Sequence, residues 1–449
     1  MSSQAGENTP QPEPGKLDDR AAGPRPLGAI LLTLFLDLVC FSIIFPLFPA
    51  ILDSYPDDAL LNGLLSFLQS LSPDIGLDDP RLITLFGGVL GSLYSLLQFL
   101  LSPFWGSLSD RIGRRPVLLL TIGLNLLAAL LWAFSGTFFL LVLSRLLAGA
   151  AGGNIATATA AVADVTPGKD RARGMGLVGA AFGLGFILGP AIGGYLSIFD
   201  LSDRGELPFL SGLAFTPFTV AALGVVFLHL INLLWILKAL PETRPESTET
   251  RPLQWSVSLG GRWGETIRNT NLANLVYLLA FSGMEFTLAF LVRQRLDFGT
   301  TETATMFVVI GLILALVQGG LTRRLAHSWG PEKTAIRGMI LVSFGLVGIA
   351  LTSEDWHLWA ALIPLSAGSA MAMPMLSTIV SSGVPAEEQG AALGVFRSLG
   401  SLSRAIGPFA AAILYWQMGS AAPYFVAALL LVIPMLLLSG GLARKDRIS

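Results

Sequence analysis

Long apolar runs alternate with short polar connections along nearly the whole chain. The runs fall at 27–52, 83–105, 116–135, 138–163, 174–199, 213–240, 272–292, 303–321, 335–352, 357–382, 390–416 and 422–441. Each is close to the roughly 20 residues that an α-helix needs to cross a hydrocarbon core. The pattern predicts an all-α integral membrane protein of twelve transmembrane helices.

The polar stretches divide the chain further. Residues 1–26 are polar and Pro-rich, which predicts a disordered tail. No small-residue cleavage site follows, so the run from Leu27 is a first span and not a removed signal. Residues 241–270, with PETRPESTETRP, read as a linker. It separates one six-helix half, 27–240, from another, 271–441, and leaves a short tail, 442–449. The acidic connection 53–81 carries helix-spaced leucines in LLNGLLSFLQSL. These suit either a surface-lying helix or a packed outer cap.

The halves echo each other. GSLSDRI at Gly106 resembles GGLTRRL at Gly319, and FILGPAIGGYL at Phe186 resembles RAIGPFAAAIL at Arg404. Two related halves with a site between them form a transporter design.

Composition narrows the function classes. The 449 residues are 53% hydrophobic and 13% charged, against about a quarter charged in soluble domains. The formal net charge of −2 implies no nucleic-acid partner. One cysteine, Cys40, and three scattered histidines make no metal-ligand spacing, and no Ser-His-Asp arrangement or phosphate loop occurs. No metal, cofactor or enzymatic activity is expected. The string GLGFILG around Gly183 lies inside a span with no preceding strand, which rejects a dinucleotide fingerprint.

Positive charge predicts the orientation. With both termini cytoplasmic, the loop and tail cations fall on the cytoplasmic side except Arg81, Arg204, Arg293 and Arg295. Arg293 and Arg295 fit this picture poorly.

The densest charge cluster is GSLSDRIGRRP, between the second and third runs. Gly106 and Gly113 permit tight turns or close helix approach. Asp110 suits the N-terminus of another helix. Arg111 follows it, and Arg114 and Arg115 are available to a carboxylate. In the fifth run, Gly189, Gly193 and Gly194 allow close helix contact, and Pro190 can bend the helix. These four are read as packing and hinge residues.

On these residues the chain resembles the major facilitator superfamily, whose signature loop is G-x-L-x-D-R-x-G-R-R. It is similar to the drug:proton antiporter branch through Asp37, Pro46 and Pro49 in the first run, Arg145 and Gly149 in the fourth, and G-P-x-x-G-G in the fifth. More narrowly, VYLLAFSGMEFTLAFLVRQRLDF and GVFRSLGSLSRAIGPFAAAILYW resemble the tetracycline-transporter-like group of animals, whose substrates include organic anions. The resemblance implies that the loop is a conformational latch made by Gly106, Asp110, Arg111, Gly113, Arg114 and Asp164, with Arg114 paired to Asp164. It also implies that Arg145 takes part in proton handling.

Charges inside a membrane span cost roughly 2.5–3.5 kcal/mol on insertion scales and are functional candidates. They are Asp37, Arg145, Glu285, Arg397 and Arg404. One reading pairs Asp37 with Arg145 and Glu285 with an arginine of the eleventh run. The other makes Asp37, Glu285 and Arg145 a proton-coupling set. Arg404 and Arg397 then attract an anionic substrate, with Gln98, Asn154 and Gln318 as polar contacts. The surplus arginine favours anions. The expected function is proton-coupled efflux of small organic molecules by a monomer in a plasma or internal membrane. An uncoupled facilitator, and a receptor or scaffold on a transporter fold, are the alternatives.

Overall fold

Pro46 and Pro49 split the first apolar run, because each removes a backbone donor and disturbs the turn before it. The run becomes α1 (Pro24–Ser42), a 3-10 turn at Phe45–Leu47, and α2 (Phe48–Asp53). The computed structural model describes residues 24–70, 80–166, 171–205, 212–244, 259–385 and 388–445. Most of the tails, the middle of the linker and the end of the acidic connection lie outside them.

The remaining helices follow in order. They are α3 (Ala59–Ser70), α4 (Pro80–Ile112), α5 (Arg114–Ala133), α6 (Phe138–Ala151), α7 (Asn154–Val165), α8 (Arg171–Leu196) and α9 (Thr219–Ala239). After residue 244 come α10 (Glu265–Leu296), α11 (Thr300–Leu316), α12 (Arg323–Trp329), α13 (Pro331–Ala350), α14 (Asp355–Ser382), α15 (Gln389–Met418), α16 (Ala422–Leu430) and α17 (Val432–Lys445). Among the described residues, ten helical segments are long and apolar enough to cross a membrane. Helices α8 and α15, of 26 and 30 residues, fall outside that set. The protein is an all-helical integral membrane protein. Its exposed Phe227, Leu312, Phe344, Leu429 and Leu436 suit lipid contact rather than water.

Several boundaries differ from the hydrophobic pattern. The fourth run breaks at Gly152 and Gly153, giving α6 and α7. The eighth widens into a π turn, Val317–Thr322, between α11 and α12. Helices α4 and α5 continue into the charged cluster, so Gly113 alone joins them. Its φ of 106° is open to glycine and strained for other residues.

Helix α3 forms from the leucine-rich part of the acidic connection. Asp58 Oδ1 caps it, accepting from Leu60 N at 2.9 Å and Leu61 N at 3.1 Å, while Oδ2 accepts from Phe138 N at 2.9 Å. One carboxylate thus ties the starts of α3 and α6 together. Leu61 faces inward, and Leu60, Leu64 and Phe67 are exposed.

Glycines set the closest packing. A Cβ at Gly185, Gly189 or Gly193 would run into backbone and side-chain atoms of Phe35 to Ile43, in and just after α1, and one at Gly194 into Ala304 of α11. The glycine face of α8 therefore lies backbone against backbone on α1. Helix α15 packs against both α4 and α10, and α8 against α11, so helices far apart in sequence share long contacts.

The buried apolar residues form two clusters. One holds Ile30 and Leu34 of α1, Leu118 and Ile122 of α5, Ile236 of α9 and Leu393 of α15. The other holds Ile43 just after α1, Ala129 of α5, Val225 of α9 and Ala412 of α15. Along those same helices Asp37, Asn125, His229 and Arg404 come between the two. A polar layer thus crosses the bundle at mid-height.

Candidate functional site

Asp37 is 8% exposed, and its Oδ2 accepts a hydrogen bond from Asn154 Nδ2 at 2.7 Å. The break at Gly152 and Gly153 makes Asn154 the first residue of α7 and brings its amide to α1. The pairing of Asp37 with Arg145 expected from charge alone is not formed. Among the described residues, no carboxylate lies within ion-pair distance of Arg145. Its guanidinium lies 4.7 Å from the centre of the Trp132 ring, and its Nε donates to Ser144 at 3.3 Å. An aromatic face satisfies a cation without neutralising it, so the positive charge stays available.

Two cavities of about 40 Å³ each lie in the polar layer, room for about three waters apiece. The first is the more polar of the two: Asp37, Asn125, Asn154, Gln98, His229 and Arg145 border it. The second is apolar, walled by Phe45, Phe48, Leu90 and Phe286, with Glu285 also in its lining. Arg145, Arg404, Phe41 and Tyr94 border both. The two arginines come from α6 and α15, on opposite sides of the linker in sequence. Glu285 and Arg404 lie near enough for their charges to interact.

Of the proposed binding residues, Arg404, Gln98 and Asn154 reach the cavities, and Gln98 Nε2 also donates to Gly152 O at 3.0 Å. Arg397 and Gln318 border neither. Arg397 NH1 donates to Thr159 Oγ1 at 3.2 Å, linking α15 to α7. Gln318 is exposed in the π turn, because a polar residue in an apolar run need not face the interior. Sequence reading missed Tyr94, Phe41, Phe286 and His229. For the aromatics, helical spacing alone does not separate a cavity wall from ordinary core.

The charged cluster stands at one end of the bundle. Arg114 is 6% exposed. Its Nε donates to Asp164 Oδ2 at 3.0 Å, and NH1 to Asp110 Oδ1 at 2.5 Å and Ser109 Oγ at 2.6 Å. One guanidinium thus ties α4, α5 and α7 together. Asp110 spends its charge on Arg114. The carboxylate at the N-terminus of α5 is Glu242, accepting from Arg114 N at 2.8 Å and Arg115 N at 3.2 Å. Arg244 donates to the carbonyl of Arg111 at 2.6 Å, and Arg115 to that of Leu237 at 2.9 Å. The first residues of the linker are therefore folded onto the cluster. A Cβ on Gly113 would strike Glu242, whereas Gly106 has open space around it. Gly106 contributes its carbonyl, which accepts from Ser109 Oγ at 2.8 Å, and makes no close helix contact.

Arg293 and Arg295 belong to the end of α10. Arg293 pairs with Asp53 of α2. Arg295 donates to the carbonyls of Ala350 at 2.8 Å and Thr352 at 2.9 Å, and to Ser420 at 3.1 Å. It satisfies carbonyls that the end of α13 leaves open. Both have local partners, which explains cations that the side-counting rule does not.

The sequence profile of the Major Facilitator Superfamily matches residues 30–408. Major facilitator superfamily domain-containing protein 10 of Bos taurus is 33% identical, over 95% of each chain. The class B tetracycline resistance protein of Escherichia coli is 32% identical, over 73% of this chain and 78% of its own. The crystal structure of the human organic anion transporter MFSD10 (TETRAN) superimposes with a TM-score of 0.71 at 31% identity, covering 92% of this chain and 99% of that one.

Proposed function

This chain belongs to the Major Facilitator Superfamily, a transporter and not an enzyme family, and we propose that it exports small organic molecules, organic anions foremost, in exchange for protons. Twelve spanning helices form two six-helix halves, 27–240 and 271–441, joined by the 241–270 linker. They rock about the polar layer as a monomer, with both termini cytoplasmic and the charged cluster on the cytoplasmic face.

The observation that carries this reading is the meeting of Arg145 and Arg404 at both cavities. A desolvated guanidinium binds a carboxylate strongly and with defined geometry. The aromatic walls suit the apolar body of an organic acid. Asp37 and Glu285 stand beside the arginines and carry the exchanged protons. Loading an organic solute into cavities with room for about three waters is expected to involve separation of the halves. The human organic anion transporter that this chain resembles at 31% identity supports the class of cargo.

Binding of radiolabelled 4-aminohippurate, an aromatic monocarboxylate, to the purified protein tests this. Arg404→Gln is expected to weaken it at least tenfold, about 1.4 kcal/mol. Equal binding by the variant and the unaltered protein overturns the anion reading.

A further inference from the structure

Helix α9 is nearly all apolar, yet it carries His229 and Asn232 one turn apart, both buried. Polar side chains inside a span usually bridge helices. Asn232 does so: its Oδ1 accepts from Thr33 Oγ1 of α1 at 3.0 Å. The link between α1 and α9 is therefore made without His229.

His229 is 3% exposed, and its Nδ1 has no protein partner. The ring borders the polar cavity. Two more buried atoms at that cavity also lack protein partners, Asp37 Oδ1 and Asn154 Oδ1. The amide nitrogen of Asn154 is already committed to the other oxygen of Asp37. Buried polar atoms without partners are costly. The cavity has room for about three waters, and each water needs two to four polar partners.

We infer that this corner of the cavity is a water site, and that His229 is a positioning residue that holds a water on the free oxygen of Asp37. A neutral imidazole offers one donor and one acceptor. Water bridges it to Asp37 Oδ1 and Asn154 Oδ1, three orphans on three helices. That water gives a proton to Asp37 Oδ1 and takes one from a neighbouring water in the cavity, so it is unchanged overall. Asp37 and Cys40 from α1, Tyr94 from α4, Arg145 from α6 and Arg404 from α15 share the cavity with the ring. Helices α5 and α7 present only the neutral Asn125 and Asn154. His229 orients the water and Asp37 holds the charge. The inference rests on the reading of Asp37 as a proton carrier.

Infrared pH titration of the full chain in nanodiscs, with the Asp37→Asn spectrum subtracted, isolates the Asp37 carboxyl band. His229→Leu is expected to move its frequency and to shift its midpoint by about one pH unit. His229→Gln, which keeps hydrogen-bonding atoms, is expected to restore both. Leucine is at home in a span, so folding does not mask the result. A His229→Leu band identical to that of the unaltered protein overturns the inference and leaves Asp37 as carrier. A band missing from the unaltered protein between about pH 4 and 9, the tails for carboxylates in proteins, overturns both.

Discussion

Ser282 donates its hydroxyl to the carbonyl of Ser403 at 3.2 Å, joining α10 to α15. Ser42 makes the same bond to Gly185 at 3.1 Å, joining α1 to α8. Residue 403 follows 185 by the same interval at which the sequence of the fifth run recurs in the eleventh. Gly189 packs against Ser42, and Gly407 against Ser282. The repeat legible in the sequence is thus also a repeat of contacts.

These contacts predict a contrast among glycine substitutions. Gly189→Ala and Gly407→Ala push a methyl into backbone and are expected to cost about 1–3 kcal/mol each. Gly106→Ala, in open space within α4, is expected to be neutral or to stabilise by up to about 1 kcal/mol. Thermal unfolding in detergent separates them: lower Tm for the first two, an equal or higher one for the third.

The buried Arg114 predicts a conformational defect. Asp164→Asn keeps Asp110 on the guanidinium and removes one charge-assisted bond, worth about 1.5–3 kcal/mol. Transport is expected to weaken while expression persists. Helix α7 also holds Arg397 through Thr159, so the network reaches α15. Unchanged transport rates in Asp164→Asn contradict a latch.

Arg293 and Arg295 should behave differently. The Arg293–Asp53 pair is about half exposed on both sides, and such pairs contribute about 0–1 kcal/mol. Arg293→Ala is expected to leave the Tm almost unchanged. Arg295→Ala strands the carbonyls of Ala350 and Thr352 and is expected to cost about 1–3 kcal/mol. Equal Tm values for the two variants would refute the capping role.

The extent to which these features were legible in the sequence follows from their physics. Asp37, Arg145, Glu285 and Arg404 stood out because charge inside an apolar run is expensive. The helical membrane character followed from run length. Partners were harder. Asp37 looked like a match for Arg145 by sign, but the break at Gly152 and Gly153 delivers Asn154 instead. Glu242 was hidden in a stretch with linker composition, and its role depends on the chain returning to the start of α5. Gln318 was a candidate only as a polar residue in an apolar run, and it lies exposed in the π turn. His229 was one of three scattered histidines, and only the tertiary structure shows that its Nδ1 lacks a protein partner.

Proton coupling is the central claim. The most direct test is efflux of radiolabelled 4-aminohippurate from proteoliposomes, with and without an imposed pH gradient, for the unaltered protein and Asp37→Asn. The account predicts gradient-driven flux by the unaltered protein, and loss of the gradient's effect in the variant. Flux that ignores the gradient in the unaltered protein would contradict it and identify an uncoupled facilitator.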